Sequence, residues 1–124
     1  MKKANVLDRL AKLAEIRSDI ELKRFAAFRR HVDTLAMQQA EHRARIGHLF
    51  AQEEAFSVDA VRLASLEAGR LAREISRLDT ELDRLRPGFE VARDRALREF
   101  GRGRALERLA AGAREGRRRK VDKI

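Results

Sequence analysis

Apolar residues recur along residues 61–106 at alternating spacings of three and four. They are Val61, Ala64, Ala68, Leu71, Ile75, Leu78, Leu82, Leu85, Phe89, Ala92 and Ala96, and the same count continues through Glu99, Gly103 and Leu106. A spacing that averages about 3.5 residues is that of the a and d positions of a coiled coil. A helix with one long apolar stripe is stable only when another element covers the stripe. The pattern therefore predicts a long helix packed against a partner helix.

A weaker form of the same pattern occupies the first half of the chain. Its members are Val6, Leu10, Leu13, Arg17, Ile20, Arg24, Phe28, Val32, Leu35, Gln39, His42, Ile46, Leu49, Glu53 and Phe56. Three successive steps of four between Ile20 and Val32 predict a stutter, which locally unwinds a supercoil. Neither Gly nor Pro occurs between Lys2 and Ile46, so we predict one helix over about residues 3–55.

Ser57 is the clearest helix-start signal in the middle of the chain. Its side chain can cap a second helix, and Asp59 would lie in the positively polarised first turn. A bend near residues 54–58 gives two arms of similar length, each roughly 80 Å at ~1.5 Å per residue, and brings Ile46 near Ala68. We therefore predict an all-α fold, a long antiparallel two-helix coiled-coil hairpin whose second helix covers about 58–116.

Arg86-Pro87-Gly88 is a second candidate for a bend. Proline costs ~3 kcal/mol inside a helix, and it disfavours helical geometry at the residue before it. However, Leu85 and Phe89 keep their phase across the interruption, and a bend here would pair arms of very unequal length. The sequence leaves two alternatives at Pro87, a kink in a continuous helix or a break.

The charge is unevenly distributed along the chain. The net charge is +9, and residues 101–124 contain nine basic and three acidic residues, against twenty and seventeen in residues 1–100. Because like charges repel and Gly112 and Gly116 weaken a helix, we expect a frayed C-terminal end. The predicted organisation is a hairpin over 1–116 and a basic, disordered tail over 117–124.

The chain lacks the usual signals of catalysis, metal binding or membrane insertion. Cysteine is absent, and no apolar run reaches the ~18 residues of a membrane-spanning helix. His31 and His42 would lie ~16 Å apart along a helix, too far to share a metal ion. Acidic residues mostly stand three or four positions from an arginine, as intrahelical ion pairs do. We expect a soluble, cytoplasmic protein that is not an enzyme and binds no cofactor.

Apolar residues outside the predicted seam are candidates for binding a partner, since exposed apolar clusters often mark interfaces. The bend end would present Phe50, Phe56, Leu63 and Leu66, and the opposite end would present Ile16, Leu97 and Phe100 together with Arg114, Arg117, Arg118 and Arg119. The alternative is that these apolar residues are buried, either in a wide core stripe or against a third helix provided by dimerisation. The basic tail could bind phosphates of nucleic acid or lipid, or serve solubility alone.

The opening residues Val6-Leu7-Asp8-Arg9-Leu10-Ala11-Lys12-Leu13-Ala14-Glu15, together with the length, the central bend and the absence of Cys and Trp, resemble the FliJ/YscO family of type III export proteins. The resemblance covers essentially the whole chain. It assigns no functional role to any single residue, because no distinctive motif of the family matches. It implies a central stalk like the gamma subunit of rotary ATPases. The Arg86-Pro87-Gly88 interruption is a departure from a straight stalk.

The resemblance implies a non-enzymatic stalk or adaptor, flagellar or virulence-related, that links a hexameric export ATPase to the export gate and escorts chaperones. Such a protein would be cytoplasmic and peripheral at the inner membrane. One alternative is a basic coiled-coil protein that binds nucleic acid or a ribosome through its C-terminal tail. Another is a structural component of a different assembly, dimerising into a four-helix bundle.

Overall fold

The chain folds as an all-α helical hairpin in the computed structural model, which describes residues 2–51 and 57–122. Helix α1 is Lys2–Ala51 and helix α2 is Val58–Asp122. This confirms the predicted fold class. Neither described helix contains a stretch that is long and apolar enough to cross a membrane.

Ser57 caps α2 as predicted. Its hydroxyl oxygen accepts a hydrogen bond from the Ala60 amide at 3.0 Å, and its carbonyl oxygen accepts one from the Val61 amide at 3.0 Å. The first bond satisfies an amide that has no backbone partner within the helix, and the second is the first backbone hydrogen bond of the helix. Asp59 lies in the first turn, where a carboxylate is favoured by the helix dipole. Residues 54–56 of the predicted bend lie outside the described residues.

The hairpin divides into two compact units, and both helices contribute to each. Unit 1 is Met1–Phe28 with Phe89–Ile124, and unit 2 is Arg29–Gly88. In unit 1 the helices are antiparallel, since Asp8 contacts Arg114 and Phe25 contacts Phe89. In unit 2 they are antiparallel as well, and Gln39 of α1 contacts Ile75 and Asp79 of α2.

The seam of unit 2 follows the predicted spacing. Its members on α1 are Val32, Leu35, Gln39, His42, Ile46 and Leu49, and those on α2 are Ala64, Ala68, Leu71, Ile75, Leu78, Leu82 and Leu85, all buried or half-buried. Leu71 and Leu78 are the most deeply buried, at 2% and 0% exposure. Val61, the first predicted member, is exposed. Burial of the leucine and isoleucine side chains is the main stabilising term here, at about 1.5–3 kcal/mol for a fully buried one.

The seam of unit 1 differs from the predicted one on α1. The residues that face α2 are Ala4, Leu7, Ala11, Ala14, Ser18, Glu21, Phe25 and Phe28, whereas the predicted Val6, Leu10, Leu13 and Ile20 are 43–56% exposed. On α2 the predicted positions are correct through Leu106 and continue to Ala110 and Ala113. The spacing of three and four is thus unbroken from Ala4 to Leu49, and the predicted stutter is wrong.

Small side chains explain why α1 turns this face towards α2. A β-carbon added to Gly103 would lie 3.8 Å from the Ala14 carbonyl oxygen, so the two backbones are close at this level. Ala4, Ala14, Ala96 and Ala110 are buried at 6% exposure or less. Close approach of two helices gains dispersion contacts between the backbones themselves. Leucine and isoleucine side chains in the same seam would hold the helices further apart.

Pro87 lies inside α2, which is continuous from Val58 to Asp122. The alternative of a broken helix is therefore wrong. Proline deprives the carbonyl four residues earlier, that of Asp83, of its helical donor. Pro87 and Asp83 are both exposed, so water can supply the missing hydrogen bond.

The C-terminal end of α2 lies further along the chain than predicted, at Asp122 instead of about residue 116. The predicted disordered tail covers 117–124; of these, residues 117–122 are helical, and residues 123–124 lie outside the described residues. The seam remains in phase through Ala113, and Arg119 lies 3.8 Å from Glu115 on the same helix. Opposite charges one turn apart offset part of the repulsion within the arginine run.

Candidate protein-binding surfaces

The heptad positions of the observed seams show which side of the hairpin each residue occupies. We take Ala4 as position a on α1 and Val61 as position a on α2. Asp8 and Arg114 then both stand at e and contact each other, and Arg17, Arg95 and Arg102 all stand at g and line one groove. We call the side formed by positions e and b the e flank, and the side formed by g and c the g flank.

The predicted residues near the bend do not share one side of unit 2. Phe50, Leu63 and Leu66 are 56%, 68% and 66% exposed. Phe50 stands at e, Leu63 at c, and Leu66 at f, opposite the seam. Phe56 lies outside the described residues. The exposed side chains therefore form two separate apolar sites instead of one patch.

The predicted residues near the termini also separate. Ile16, Leu97 and Phe100 are all at least half exposed, but Ile16 stands at f on α1, whereas Leu97 and Phe100 belong to the e flank of α2. Arg114 binds Asp8 across the two helices at 3.1 Å. Arg117, Arg118 and Arg119 lie on the exposed last turns of α2.

The e flank of unit 1 carries charges of both signs. Its groove is lined by Asp8, Lys12, Glu15, Glu107 and Arg114, among others. The Asp8–Arg114 pair is largely exposed, and such a pair contributes at most about 1 kcal/mol. Its main effect is to neutralise two of the charges of this flank within the protein.

The g flank of unit 1 has a different character. Its groove is lined by Arg17, Ile20, Glu21, Arg95, Arg98, Glu99 and Arg102. The two glutamates are seam residues whose side chains are each 16% exposed, and they pair with Arg24 at 3.2 Å and Arg102 at 3.4 Å. Within the described part of the chain, the Glu99 Oε2 atom is buried without a hydrogen-bond partner. The predicted pattern counts Arg17 and Arg24 as seam positions, and so it does not predict this flank.

The net charge of the protein belongs entirely to unit 1. The sequence of unit 1 contains nineteen basic and ten acidic residues, and that of unit 2 contains ten of each. The prediction that positive charge is concentrated near the C-terminus therefore describes only part of the distribution. The first 28 residues, which pack against the C-terminal half of α2, contain seven basic and four acidic residues.

Glutamates on α2 of unit 2 form ion pairs with arginines of the same helix. Arg70 binds Glu67 at 2.7 Å and Arg77 binds Glu74 at 2.5 Å. The hydrogen bond from each arginine lowers the pKa of its glutamate partner below the usual 4.5. All four groups are solvent-accessible, so these pairs are typical of a solvated helix face.

Residues 2–51 and 57–122 contain no group of His, Asp and Glu arranged to hold a metal ion. Comparison with protein-family models, with curated proteins and with solved structures finds no match to the chain. The exposed surfaces of the two units are therefore the features from which a function can be inferred.

Proposed function

We propose that this protein is a non-enzymatic stalk or adaptor of a type III protein export apparatus, which links a hexameric export ATPase to the export gate from the cytoplasmic side of the inner membrane. Both units have exposed apolar side chains that do not belong to the seam, and this observation supports the proposal most. Such side chains are costly in water and are typical of surfaces that bind other proteins. Two units with separate exposed sites suit a protein that contacts two partners.

The resemblance of residues 6–15 to the FliJ/YscO family supports the export apparatus as the assembly. Unit 1, with its net positive charge, would bind the ATPase. Unit 2 would contact the gate through its two apolar sites, Phe50 on one side and Leu63 with Leu66 on another. Chaperones are further candidate partners. Charged contacts inside an ATPase ring would be screened at physiological salt.

Reconstitution with a purified hexameric export ATPase tests the stalk role. We expect the protein to co-purify with the hexamer and to raise its rate of ATP hydrolysis. The double variant Leu97→Gln/Phe100→Gln, in unit 1, should weaken the stimulation, whereas Leu63→Gln/Leu66→Gln, in unit 2, should leave it unchanged. An ATPase rate that does not change at saturating protein concentration would remove the stalk role.

A second candidate function is binding of nucleic acid or a ribosome through residues 101–124. The concentration of the net charge in unit 1 favours it. Residues 103–113 contribute to the seam, so deleting the segment would also damage the fold. The triple variant Arg117→Gln/Arg118→Gln/Arg119→Gln is the better test, because it removes charge from exposed turns alone. Binding should fall steeply with salt and weaken in the variant; affinity that is independent of salt would exclude this function.

A further inference from the structure

A row of exposed apolar side chains follows the part of α1 that belongs to unit 1. Its members are Val6, Leu10, Leu13, Ile16 and Ile20, each 43–56% exposed. They stand at positions c, g and f, so they lie on one side of the helix, beside the seam and not in it. The row covers fifteen residues, or about 21 Å of helix from its first member to its last. That is enough to contact four turns of another helix.

The charged residues at the heptad positions of this row, c, f and g, are all basic. Lys3, Arg9, Arg17, Lys23 and Arg24 share positions f and g with the row, and the four acidic residues of α1 in unit 1 stand at b, d and e. On α2, Arg95, Arg98 and Arg102 complete the g flank, and none of the acidic residues from Phe89 to Asp122 stands at g or c.

The arginines of the g flank are only partly satisfied within the protein. Arg24 and Arg102 pair with the seam residues Glu21 and Glu99. Among the described residues, no carboxylate lies within ion-pair distance of Arg17, Arg95 or Arg98. The g flank thus combines apolar contact area with uncompensated positive charge.

We propose that the g flank of unit 1 binds an amphipathic helix of a protein partner, with apolar residues at heptad spacing and acidic residues beside them. The apolar side chains of that helix would pack on Val6, Leu10, Leu13 and Ile20, and its carboxylates would pair with Arg17, Arg95 and Arg98. This proposal does not depend on the export role, since it specifies the chemistry of the partner and not its identity.

Charge complementarity selects this occupant over two others. A second copy of the same face would place arginine against arginine, which costs free energy in any interface. Nucleic acid would satisfy the arginines but would leave the apolar row without a counterpart. An acidic amphipathic helix satisfies both features, in the manner of helix-in-groove recognition.

A designed peptide of three heptads provides a defined probe. It has Leu at a and d, Glu at e and g, Ala at b and c, and Gln at f, and it carries a fluorophore for anisotropy measurements. The control peptide replaces every Glu with Lys. We expect the full-length protein to bind the acidic peptide at least about tenfold more tightly than the basic one, with an affinity that falls as salt is added.

Matched variants locate the binding site. Leu10→Gln/Leu13→Gln should weaken binding by about tenfold or more, because two apolar contacts are lost. Leu63→Gln/Leu66→Gln, equally exposed but in unit 2, should leave it unchanged. Arg95→Gln/Arg98→Gln should weaken binding and reduce its dependence on salt. All substituted residues are exposed, and circular dichroism at 222 nm will verify that each variant remains helical.

Three kinds of result would overturn the proposal. One is a peptide assay that shows equal affinity for the acidic and the basic peptide, or binding of the acidic peptide that Leu10→Gln/Leu13→Gln does not weaken. Another is a dimer in sedimentation equilibrium that the same double variant dissociates, because a second copy would then cover the row. The third is tighter binding of an 18-base-pair DNA duplex, with displacement of the acidic peptide. That result would identify the g flank as a phosphate-binding surface.

Discussion

Polar residues replace apolar ones at a few positions of the seam, and Gln39 is the best satisfied of them. Its side chain is 5% exposed, and its Nε2 atom donates to the Ile75 carbonyl oxygen at 3.1 Å and to the Asp79 carboxylate. Leu35 and Leu78 are its neighbours in the seam of unit 2. A polar group at such a site restricts which registers can satisfy it, at some cost in stability.

Gln39→Leu should raise the free energy of unfolding by about 1 kcal/mol, because an apolar side chain gains more from burial than the two hydrogen bonds contribute net. Asp79 is exposed, so water can replace the hydrogen bond that its carboxylate loses in this variant. Urea denaturation measures the change, and Gln38→Leu at the exposed neighbouring position should alter stability by less than about 0.5 kcal/mol. A clear loss of stability in Gln39→Leu would show that the hydrogen bonds outweigh burial.

The Glu74–Arg77 pair gives a prediction about pH. Because the hydrogen bond from Arg77 lowers the pKa of Glu74 below 4.5 in the folded protein, the pair contributes stability above pH 4.5. That contribution is lost as the pH falls through the folded pKa. Arg77→Gln should raise the pKa of Glu74 towards its usual value, as measured by NMR titration of the carboxyl carbon. Arg84→Gln, whose partner is Glu81, is the control and should leave the pKa of Glu74 nearly unchanged.

The two helices show how far an apolar pattern predicts a seam. In unit 2, over residues 32–49 of α1 and 64–85 of α2, most of the large apolar side chains are themselves the seam, and the predicted positions are correct. Before Phe28 most of the larger apolar side chains, among them Leu10 and Ile20, are exposed, and the buried seam positions are small residues, Ala4, Ala14 and Ser18. Residue-by-residue hydrophobicity therefore selected the wrong face of α1.

The sequence did contain a signal for the correct face. Continuing the spacing of three and four backwards from Phe28 leads to Phe25, Glu21, Ser18 and Ala14 without any stutter. This row contains a glutamate and a serine, which are unfavourable in a coiled-coil seam, but the predicted row contains Arg17 and Arg24, so polarity does not decide between the two rows. What the pattern could not show is that Ala14 and Gly103 bring the backbones close. The partner-binding sites depend on the same detail, since a shift of face decides which apolar residues are exposed.

Helix α2 accommodates Pro87 because the helix is held on both sides of it. Leu85 and Phe89, two positions to either side, are both half-buried seam residues. Pro87→Ala restores the hydrogen bond to the Asp83 carbonyl and should raise the free energy of unfolding by up to about 3 kcal/mol. Thermal and urea unfolding will measure it, with the exposed Thr80→Ala on the same helix as the control. No gain in stability would indicate that the interruption is already compensated by hydration.

At the level of the whole molecule, the two units have unequal sources of stability. Unit 2 has a seam rich in leucine and isoleucine and no net charge. Unit 1 contains an aromatic cluster, in which the ring centroid of Phe89 lies 5.3 Å from that of Phe25 and 6.1 Å from that of Phe28. Outside this cluster, small and acidic residues predominate in the seam of unit 1. It also carries nine net positive charges, which repel one another and lower its stability. Less apolar burial and more repulsion both make unit 1 the weaker unit.

Amide hydrogen exchange should therefore differ between the units within the same two helices. We expect residues 4–25 and 92–113 to exchange faster than residues 32–49 and 64–85, because local opening is easiest where apolar burial is least. Raising the salt concentration should slow exchange in unit 1 more than in unit 2, since screening reduces the repulsion among its basic residues. Mass spectrometry of peptic fragments resolves these segments. Uniform protection along both helices would mean that the hairpin unfolds as one cooperative structure despite its uneven seam, and a salt effect of equal size in both units would remove charge repulsion as the cause.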